Sequence, residues 1–568
     1  MPGDDSCNID DRHLFRATMA TTNSNSGDFD AIIVGAGFAG LYMLHRLRKM
    51  GMTVQVFEAG SGVGGTWYWN RYPGARCDAE SLVYSYSFDE DLEQEWEWTE
   101  RYATQGEILK YAEHVAERFD LNRDIEFNAR VTAAHFDSEQ KRWGVSTDQG
   151  HQVTGRYCIM ATGCLSTPQV PQIAGLAQFQ GPTYYASQWP HDDPDFAGRT
   201  VGIVGTGSSA IQAIPVIADK AKHLTVFQRT ANFSVPAYNQ DLDPEFVKDF
   251  KAHYPEHRVK HRLGLVSSFG GLELPEAQQG VAAMSADDYT EEEMQLILED
   301  YWQVGGARFL SAFGDVIMDR RTNRIVAEFV HNKIRSIVKD PEVAELLCPK
   351  THPIGTKRIC VDSDYYATFN RDNVTLVDVR SSPITTITAT GLDTESASYS
   401  FDDLVLATGF DAMTGTLLKM DIRGTDGTRL ADKWYAGPKA YLGLVSAGFP
   451  NLFLITGPGS PSVLSNMLVS IEQHVDWLCD LFEHMAQQNQ AVVDAEPEAE
   501  ERWINHVNEV AHSTLYPEGG SWYLGANIPG KPRVFMPYAA GVGAYREICD
   551  KVAYEGYSGF SFPEATQA

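Results

Sequence analysis

The sequence predicts an α/β protein built from two Rossmann-like dinucleotide-binding domains, with a helical insertion in the second domain. Two observations support the paired domains: segments 31–40 and 201–210 each join an apolar strand to a glycine-rich turn and the start of a helix. Such a turn suits a pyrophosphate, because its glycines admit a close approach and the helix N-terminus offers free N–H groups. A third observation supports the insertion, since residues 240–345 change to a polar, mostly helical pattern.

Composition excludes several classes of partner. The net charge of −30 argues against a nucleic-acid or anionic-membrane surface, and no apolar run approaches the roughly 18 residues of a membrane span. The eight cysteines are scattered without a Cys-x-x-Cys pair, which is typical of reduced cytoplasmic thiols and unlike a disulfide reductase or a metal site. Residues 1–28 lack the order of a secretory signal and are predicted to be a disordered tail.

The first glycine turn contains Gly35, Gly37 and Gly40 and is followed by a helix and a second strand. That strand ends at Glu58, 23 residues after Gly35, where an acid accepts the ribose hydroxyls of a dinucleotide. An acid here rejects a 2′-phosphate, so the turn favours FAD or NAD over NADP.

Residues 64–78 are dense in Gly, Trp, Tyr and Arg. They could be a surface loop. The aromatic density instead favours a loop folded over a flat cofactor ring, with Arg76 and Asp78 as its candidate polar groups.

The predicted helices, strands and loops between these motifs indicate where the domains begin and end. A helix is predicted over 105–119, with short strands around 125–136, 142–147 and 151–159. Ala-Thr-Gly follows an apolar strand twice, at 161–163 and 407–409, and each copy is predicted to mark a crossing between domains. A loop is expected around 263–280. We therefore expect a first domain of 29–165 with 403–568, a second of 166–235 with 346–402, and a helical insertion of 236–345.

The second glycine turn contains Gly205 and Gly207. The strand that follows it ends in Arg229-Thr230, at the position that Glu58 occupies in the first unit. A cation there pairs with a 2′-phosphate, so this turn predicts NADP.

Lys357 and Arg358 are adjacent cations, which are often simply solvated. Beside two nucleotides, one could neutralise phosphate and the other could stabilise a developing anion at the flavin. The loop 457–466 and Trp522 could form pocket walls or an ordinary connector, and a helix is expected over 467–488.

Together these motifs resemble the type I Baeyer–Villiger monooxygenases, and more closely their phenylacetone and steroid monooxygenase branch. The resemblance runs from about residue 28 to the C-terminus. It includes Gly-Gly-x-Trp-x-x-x-x-Tyr-Pro-Gly-x-x-x-Asp at 64–78, Lys357-Arg358 with the aromatic residues at 365–369, and the region 457–531.

The family fingerprint Phe-x-Gly-x-x-x-His-x-x-x-Trp-Pro has one departure here. Phe179, Gly181, Trp189 and Pro190 match, but Tyr185 stands at the His position. The resemblance places this residue beside the domain linkers, and Tyr cannot become a cation near neutral pH. The Trp-Pro ending favours this family over related flavin monooxygenases that oxidise N and S.

The resemblance implies an enzyme that converts ketones to esters or lactones with NADPH and O2, through a C4a-peroxyflavin formed on FAD. FAD would occupy the first domain and NADP the second. It further implies that Arg358 stabilises the anion, that Asp78 holds Arg358, that Lys357, Arg229 and Thr230 bind the 2′-phosphate, and that Trp522 approaches the nicotinamide.

Further contacts follow only from the resemblance. FAD would be met by Gly35, Gly37, Ala39, Gly40, Glu58, Thr66, Trp67, Asp78, Tyr84, Val131 and Met536. NADP would be met by Arg76, Gly205, Thr206, Gly207, Ser208, Ser209 and Gln212, and the substrate-gating loop would be Ser462, Val463 and Met467. The expected partners are a ketone and O2, and the expected state is a monomer or weak homo-oligomer. Two alternatives stay open: an N- or S-oxidising flavin monooxygenase, and an uncoupled NADPH oxidase-like flavoprotein, for which Tyr185 is the only sign.

Overall fold

The computed structural model describes residues 26–264 and 284–563. Most of the predicted tail at 1–28 and of the loop predicted around 263–280 lies outside these residues. Residues 26–28 are not a tail, because Ser26–Phe29 pair in parallel with Gln152–Gly155 and extend the first strand.

The strands and helices fall in the following places. The strands are β1 (Ser26–Val34), β2 (Val54–Phe57), β3 (Ile125–Glu126), β4 (Val131–Asp137), β5 (Arg142–Thr147), β6 (Gln152–Met160), β7 (Thr183–Tyr185), β8 (Thr200–Val204), β9 (His223–Gln228), β10 (Ser234–Pro236), β11 (Cys360–Asp362), β12 (Val374–Asp378), β13 (Ile384–Thr388), β14 (Gly391–Thr394), β15 (Ser398–Ser400), β16 (Asp403–Leu406), β17 (Asp421–Arg423), β18 (Leu452–Leu454), β19 (Asp494–Ala495) and β20 (Phe560–Ser561). The helices are α1 (Phe38–Lys49), α2 (Thr66–Trp69), α3 (Glu90–Glu95), α4 (Gln105–Arg118), α5 (Ser208–Lys220), α6 (Pro244–Ala252), α7 (Tyr254–Arg262), α8 (Glu291–Val304), α9 (Arg320–Ile337), α10 (Pro341–Leu347), α11 (Tyr365–Thr368), α12 (Gly415–Lys419), α13 (Leu430–Lys433), α14 (Met467–Gln487), α15 (Pro497–His512) and α16 (Val542–Tyr554).

The first sheet runs in the order β17-β4-β5-β6-β1-β2-β3, with β18 also paired to β6. Its central strand β1 is parallel to β2 and β6, whereas β4, β5 and β6 form the expected antiparallel layer. Alternate residues of β1 enter different apolar clusters: Ile33 packs with residues of α1, α4 and α14, and Ile32 packs with residues of β4 and β5. Burial on both faces explains why β1 is an uninterrupted apolar run.

The second sheet is parallel throughout, in the order β12-β9-β8-β16-β7. Strand β16 lies between β8 and β7, so residues 403–406 belong to this sheet and not to the first domain, where the sequence placed them. Strand β16 pairs with β8, which lies about 200 residues earlier in the chain. A local sequence pattern does not show such a pairing, so the domain boundary was misplaced. The chain then crosses back through Ala407-Thr-Gly409.

The helical insertion lies between β10 and β11. Thr290 begins α8 with a capping box, in which Thr290 and Glu293 cap each other's backbone N–H groups. Asp319 caps α9, whose buried face includes Asn323 and Val326. No helix among residues 26–264 and 284–563 is long and apolar enough to cross a membrane.

Candidate active site

Both phosphate turns sit against a crossing between the sheets. Gly35 and Gly205 have φ of +105° and +118°. A Cβ on Gly35 would lie 2.6 Å from the Ala161 carbonyl oxygen, and one on Gly205 would lie 2.4 Å from that of Ala407. Glycine is therefore required at both turns for backbone conformation and for space.

The helices that follow these turns have N-termini free of side-chain caps. Gly37 precedes α1 and Gly207 precedes α5, and neither N-terminus carries a side-chain hydrogen bond, in contrast to α4, which Thr104 caps. A Cβ on Gly207 would meet nothing within 4 Å. Uncapped N–H groups fit the pyrophosphate of a dinucleotide at each turn. Open space adjoins Gly207 at the second turn, whereas Gly37 at the first turn lies against the backbone of Gly65.

Glu58 is held at the carboxyl end of β2, beside the first turn. It is 5% exposed, and its two carboxylate oxygens accept hydrogen bonds from the N–H groups of Ala36 at 2.8 Å and Gly60 at 2.7 Å. The carboxylate is thus fixed where a ribose is expected.

Lys357 and Arg229 form a cationic site beside the second turn. Burial, together with the like charge of Arg229, lowers the pKa of Lys357. Within the described residues neither cation has a carboxylate within 4.0 Å, and Thr206 donates to the Thr230 carbonyl oxygen at 2.8 Å, which ties the turn to the end of β9. Two unneutralised cations at this place fit a 2′-phosphate.

Arg358 and Asp78 form a two-point ion pair. Arg358 Nε donates to Asp78 Oδ2 at 2.5 Å, and Nη2 donates to Oδ1 at 2.8 Å. Nη1 donates to the Val463 carbonyl oxygen at 2.7 Å. Burial would raise the pKa of the Asp78 carboxyl, but the Arg358 charge outweighs burial and this pKa lies below its ordinary value. The pair likewise raises the pKa of Arg358 despite burial, so both side chains stay charged.

The aromatic loop, residues 64–78, contacts the first glycine turn through Gly65 and α5 through Gly74. Trp67 Nε1 donates to the Tyr84 hydroxyl at 3.2 Å. The Arg76 guanidinium donates to Glu100 at 2.5 Å and to the Tyr102 carbonyl oxygen at 2.6 Å, while Gln212 of α5 donates to the Arg76 carbonyl oxygen at 3.1 Å. Arg76 therefore meets α5 through its backbone, and its role toward NADP stays a prediction.

Segments from the C-terminal part come together beside Arg358. Val463 and Met536 are buried in one apolar cluster, and Met467 and Trp522 pack against it. Ser462 is fully buried with φ of +43°, a strained backbone for a serine. The residues predicted to gate the substrate and to approach the nicotinamide thus share one apolar region.

Three residues predicted to contact FAD lie on separate elements of the first domain. Ala39 is buried in α1, Thr66 begins α2, and Val131 begins β4 inside the cluster that contains Phe57. Their roles toward FAD stay predictions. Tyr185 pairs with Leu406, immediately before the crossing at 407–409, and so lies beside a linker.

Two groups near the ion pair were not predicted from sequence patterns. Cys360 Sγ lies 3.3 Å from the Ser208 hydroxyl and accepts from Asn232 at 3.2 Å. Glu80, two residues after Asp78, pairs with Arg308 of the insertion. The only local signal for either is nearness in sequence to Asp78 or Arg358.

Comparison with known proteins decides the family. Residues 32–265 match a family model described as pyridine nucleotide-disulphide oxidoreductase. A Baeyer–Villiger monooxygenase of Pseudooceanicola batsensis is 41% identical over 94% of this chain and 97% of its own length. The chain belongs to the Baeyer–Villiger monooxygenases. The solved structure of an NADP-bound steroid monooxygenase is 50% identical, with a TM-score of 0.89 over 95% of this chain and all of that one. The expected branch is thereby confirmed.

This Baeyer–Villiger monooxygenase is an FAD- and NADPH-dependent enzyme that converts ketones to esters or lactones; solved relatives contain both FAD and NADP. The seven described cysteines are free and buried, so the match to a disulphide oxidoreductase model reflects the nucleotide fold. A phenazine N-monooxygenase of Lysobacter antibioticus is also 41% identical, over 94% of this chain and 96% of its own.

Proposed function

We propose that Arg358 stabilises the negative charge that develops on oxygen during ketone oxidation, and that Asp78 orients Arg358. The observation that carries this proposal is the two-point ion pair beside the apolar cluster of Val463 and Met536. When bound, FAD supplies oxygen activation and NADPH supplies reducing equivalents. The protein supplies a fixed positive charge and an environment with little water.

The charge of Arg358 is suited to this task because it needs no rearrangement. Asp78 and the Val463 carbonyl oxygen together engage Nε and both terminal nitrogens. A preorganised charge of this kind lowers a barrier by about 3–4 kcal/mol. Asp78 keeps the guanidinium charged, so this stabilisation does not vary across neutral pH.

Substrate preference follows from the walls of the site. Val463, Met467, Trp522 and Met536 present mainly apolar groups, which supports a ketone with a sizeable apolar body. The proposed NADPH preference is supported by Lys357 and Arg229. We also propose that the protein is a monomer or weak homo-oligomer. We propose that it acts in the cytoplasm, and its free, buried cysteines support this location.

An Arg358→Ala variant tests the role of this residue. Without the cation we expect ester formation from ketones to fall about 10²–10³-fold under air with NADPH. The matched control is Arg335→Ala, which removes an exposed arginine paired with Glu328 and Glu345. Ester formation at the parent rate by Arg358→Ala would contradict the proposal.

A second candidate function is heteroatom oxidation, favoured by the similarity to a phenazine N-monooxygenase. The same assay separates the candidates when ketones, sulfides and aromatic amines are offered in parallel. Ester product supports the main proposal, and N- or S-oxide alone supports the second. NADPH consumption that yields only hydrogen peroxide would support an oxidase-like protein.

A further inference from the structure

The helical insertion holds the segment that contains Asp78. Glu80 is 2% exposed, and both of its carboxylate oxygens accept hydrogen bonds from Arg308 Nη2 at 2.9 Å. Arg101 donates to the same carboxylate at 2.7 Å. Arg308 is 6% exposed and follows the glycine pair 305–306, whose backbone packs against Pro236. A buried ion pair thus joins the insertion to a point two residues from Asp78.

The insertion also holds the segment that leads to Arg358. Asn323 of α9 is 3% exposed. Its amide donates to the Ile354 carbonyl oxygen at 2.8 Å and accepts from the Ile354 N–H at 3.1 Å. A tight turn follows, in which the fully buried Thr356 donates from its hydroxyl to the Pro353 carbonyl oxygen at 2.7 Å. Only three residues lie between the clamped Ile354 and Arg358.

We propose that the helical insertion sets the geometry of the Arg358–Asp78 ion pair, with Arg308 and Asn323 as positioning residues. Arg308 acts on Asp78 through Glu80, and Asn323 acts on Arg358 through Ile354. The partners of the pair come from segments 280 residues apart, so neither segment can fix the other locally. The insertion contacts both, and it thereby fixes their separation. This inference rests on the role of Arg358 in the proposed function.

A double-mutant cycle tests the inference on the intact holoenzyme. Arg308→Met leaves Glu80 paired with Arg101, so the carboxylate keeps a partner. We expect Arg308→Met to lower kcat for ester formation about tenfold, with the KM for NADPH changed less than about twofold, because misplacement of a catalytic group mainly affects the chemical step. Arg308→Lys, which keeps the charge, should recover part of the loss.

Asp78→Asn supplies the second arm of the cycle. If Arg308 acts through Asp78, the double variant should be no slower than Asp78→Asn alone. Multiplied losses would overturn the inference. Should Arg308→Met fail to fold, Asn323→Ala combined with Arg358→Ala gives the corresponding comparison, because Asn323 acts through Arg358: the double variant should be no slower than Arg358→Ala alone.

Hydrogen exchange provides a readout apart from turnover. The amides of Val83 and Tyr84 bond to the carbonyl oxygens of Glu80 and Ser81, and Arg308→Met should accelerate their exchange, whereas Arg335→Met on the exposed part of α9 should not. If Arg308→Met leaves the exchange of these amides unchanged, the inference is contradicted. An unchanged kcat in the same variant would contradict it as well. If Arg358→Ala retains the parent rate, the proposed function fails; if it loses activity while the cycle is additive, only this inference fails.

Discussion

Lys357 and Arg358 are neighbours in sequence, yet their surroundings act on them in opposite directions. Asp78 raises the pKa of Arg358 in spite of burial, while burial and Arg229 lower that of Lys357. Arg358 therefore has its counter-ion within the protein. Lys357 gains one only when an anion binds, which is what a residue selecting a phosphate requires.

Lys357→Ala should narrow the preference for NADPH over NADH. A hydrogen bond to a charged group contributes about 1.5–3 kcal/mol, so the KM for NADPH should rise about 10- to 100-fold while that for NADH changes little. Steady-state kinetics with both nucleotides measure this. Lys350→Ala, at an exposed ion pair with Glu345, is the control. Equal changes for both nucleotides would show that Lys357 does not contact the 2′-phosphate.

Asp362 predicts a dependence of stability on pH. It is 6% exposed, accepts hydrogen bonds from Ser234 and from the Tyr365 N–H, and burial raises its pKa from 3.8 to about 6. A raised carboxyl pKa means that the folded state holds the proton more tightly. Its stabilisation is complete below pH of about 4 and is lost as pH rises through about 6.

Asp362→Asn removes this titration. Relative to the parent, the variant should gain up to ~3 kcal/mol of unfolding free energy between pH 4 and pH 7. Urea unfolding at several pH values measures the difference, with Asp192→Asn, an exposed position, as the control. A difference that does not vary with pH would refute the prediction.

The aromatic loop and α5 illustrate how two elements are fitted to each other. Gly74 has φ of +79°, and a Cβ there would lie 2.4 Å from the Gln212 carbonyl oxygen of α5. In addition, Tyr72 donates to the Gln212 side chain at 2.8 Å. The loop of the first domain thus contacts the helix that begins at the second phosphate turn.

Gly74→Ala should separate this loop from α5. Gly51 provides a matched control, because its φ is +78° but a Cβ there meets nothing within 4 Å. Gly51→Ala should cost about 1–2 kcal/mol of unfolding free energy from backbone strain alone, and Gly74→Ala about 1–3 kcal/mol more from the clash. Urea unfolding and NADP+ titration measure both effects. Equal costs would mean that the contact is unimportant.

At the scale of the whole molecule, the two sheets are joined by crossings that also shape the nucleotide sites. Ala161 limits the space at Gly35, and Ala407 limits it at Gly205. A relative movement of the sheets at either crossing therefore acts directly on a phosphate turn. Tyr185 pairs with Leu406 beside the second crossing. A substitution at Tyr185 is therefore expected to change how movement of the sheets acts on the second phosphate turn.

Sequence patterns predicted the features that depend on neighbours along the chain. Both glycine turns are local, and helices α4 and α14 begin where expected and end one residue early. The position of β16 depends on pairing with β8, about 200 residues away, and the contact between Glu80 and Arg308 spans 228 residues. A buried ion pair of this kind has no spacing or periodicity, so only the folded structure reveals it.

The position of β18 has a consequence for synthesis. This strand pairs with the end of β6, and ~290 residues separate the two along the chain. At about 5–20 residues per second, a ribosome needs about 15–60 s to supply the missing strand. During that interval Cys158, Ile159 and Met160 lack the partner that covers one edge of their strand. The nascent chain cannot complete its N-terminal unit before most of the polypeptide is made, so expression at low temperature or with abundant chaperones should raise the yield of folded enzyme.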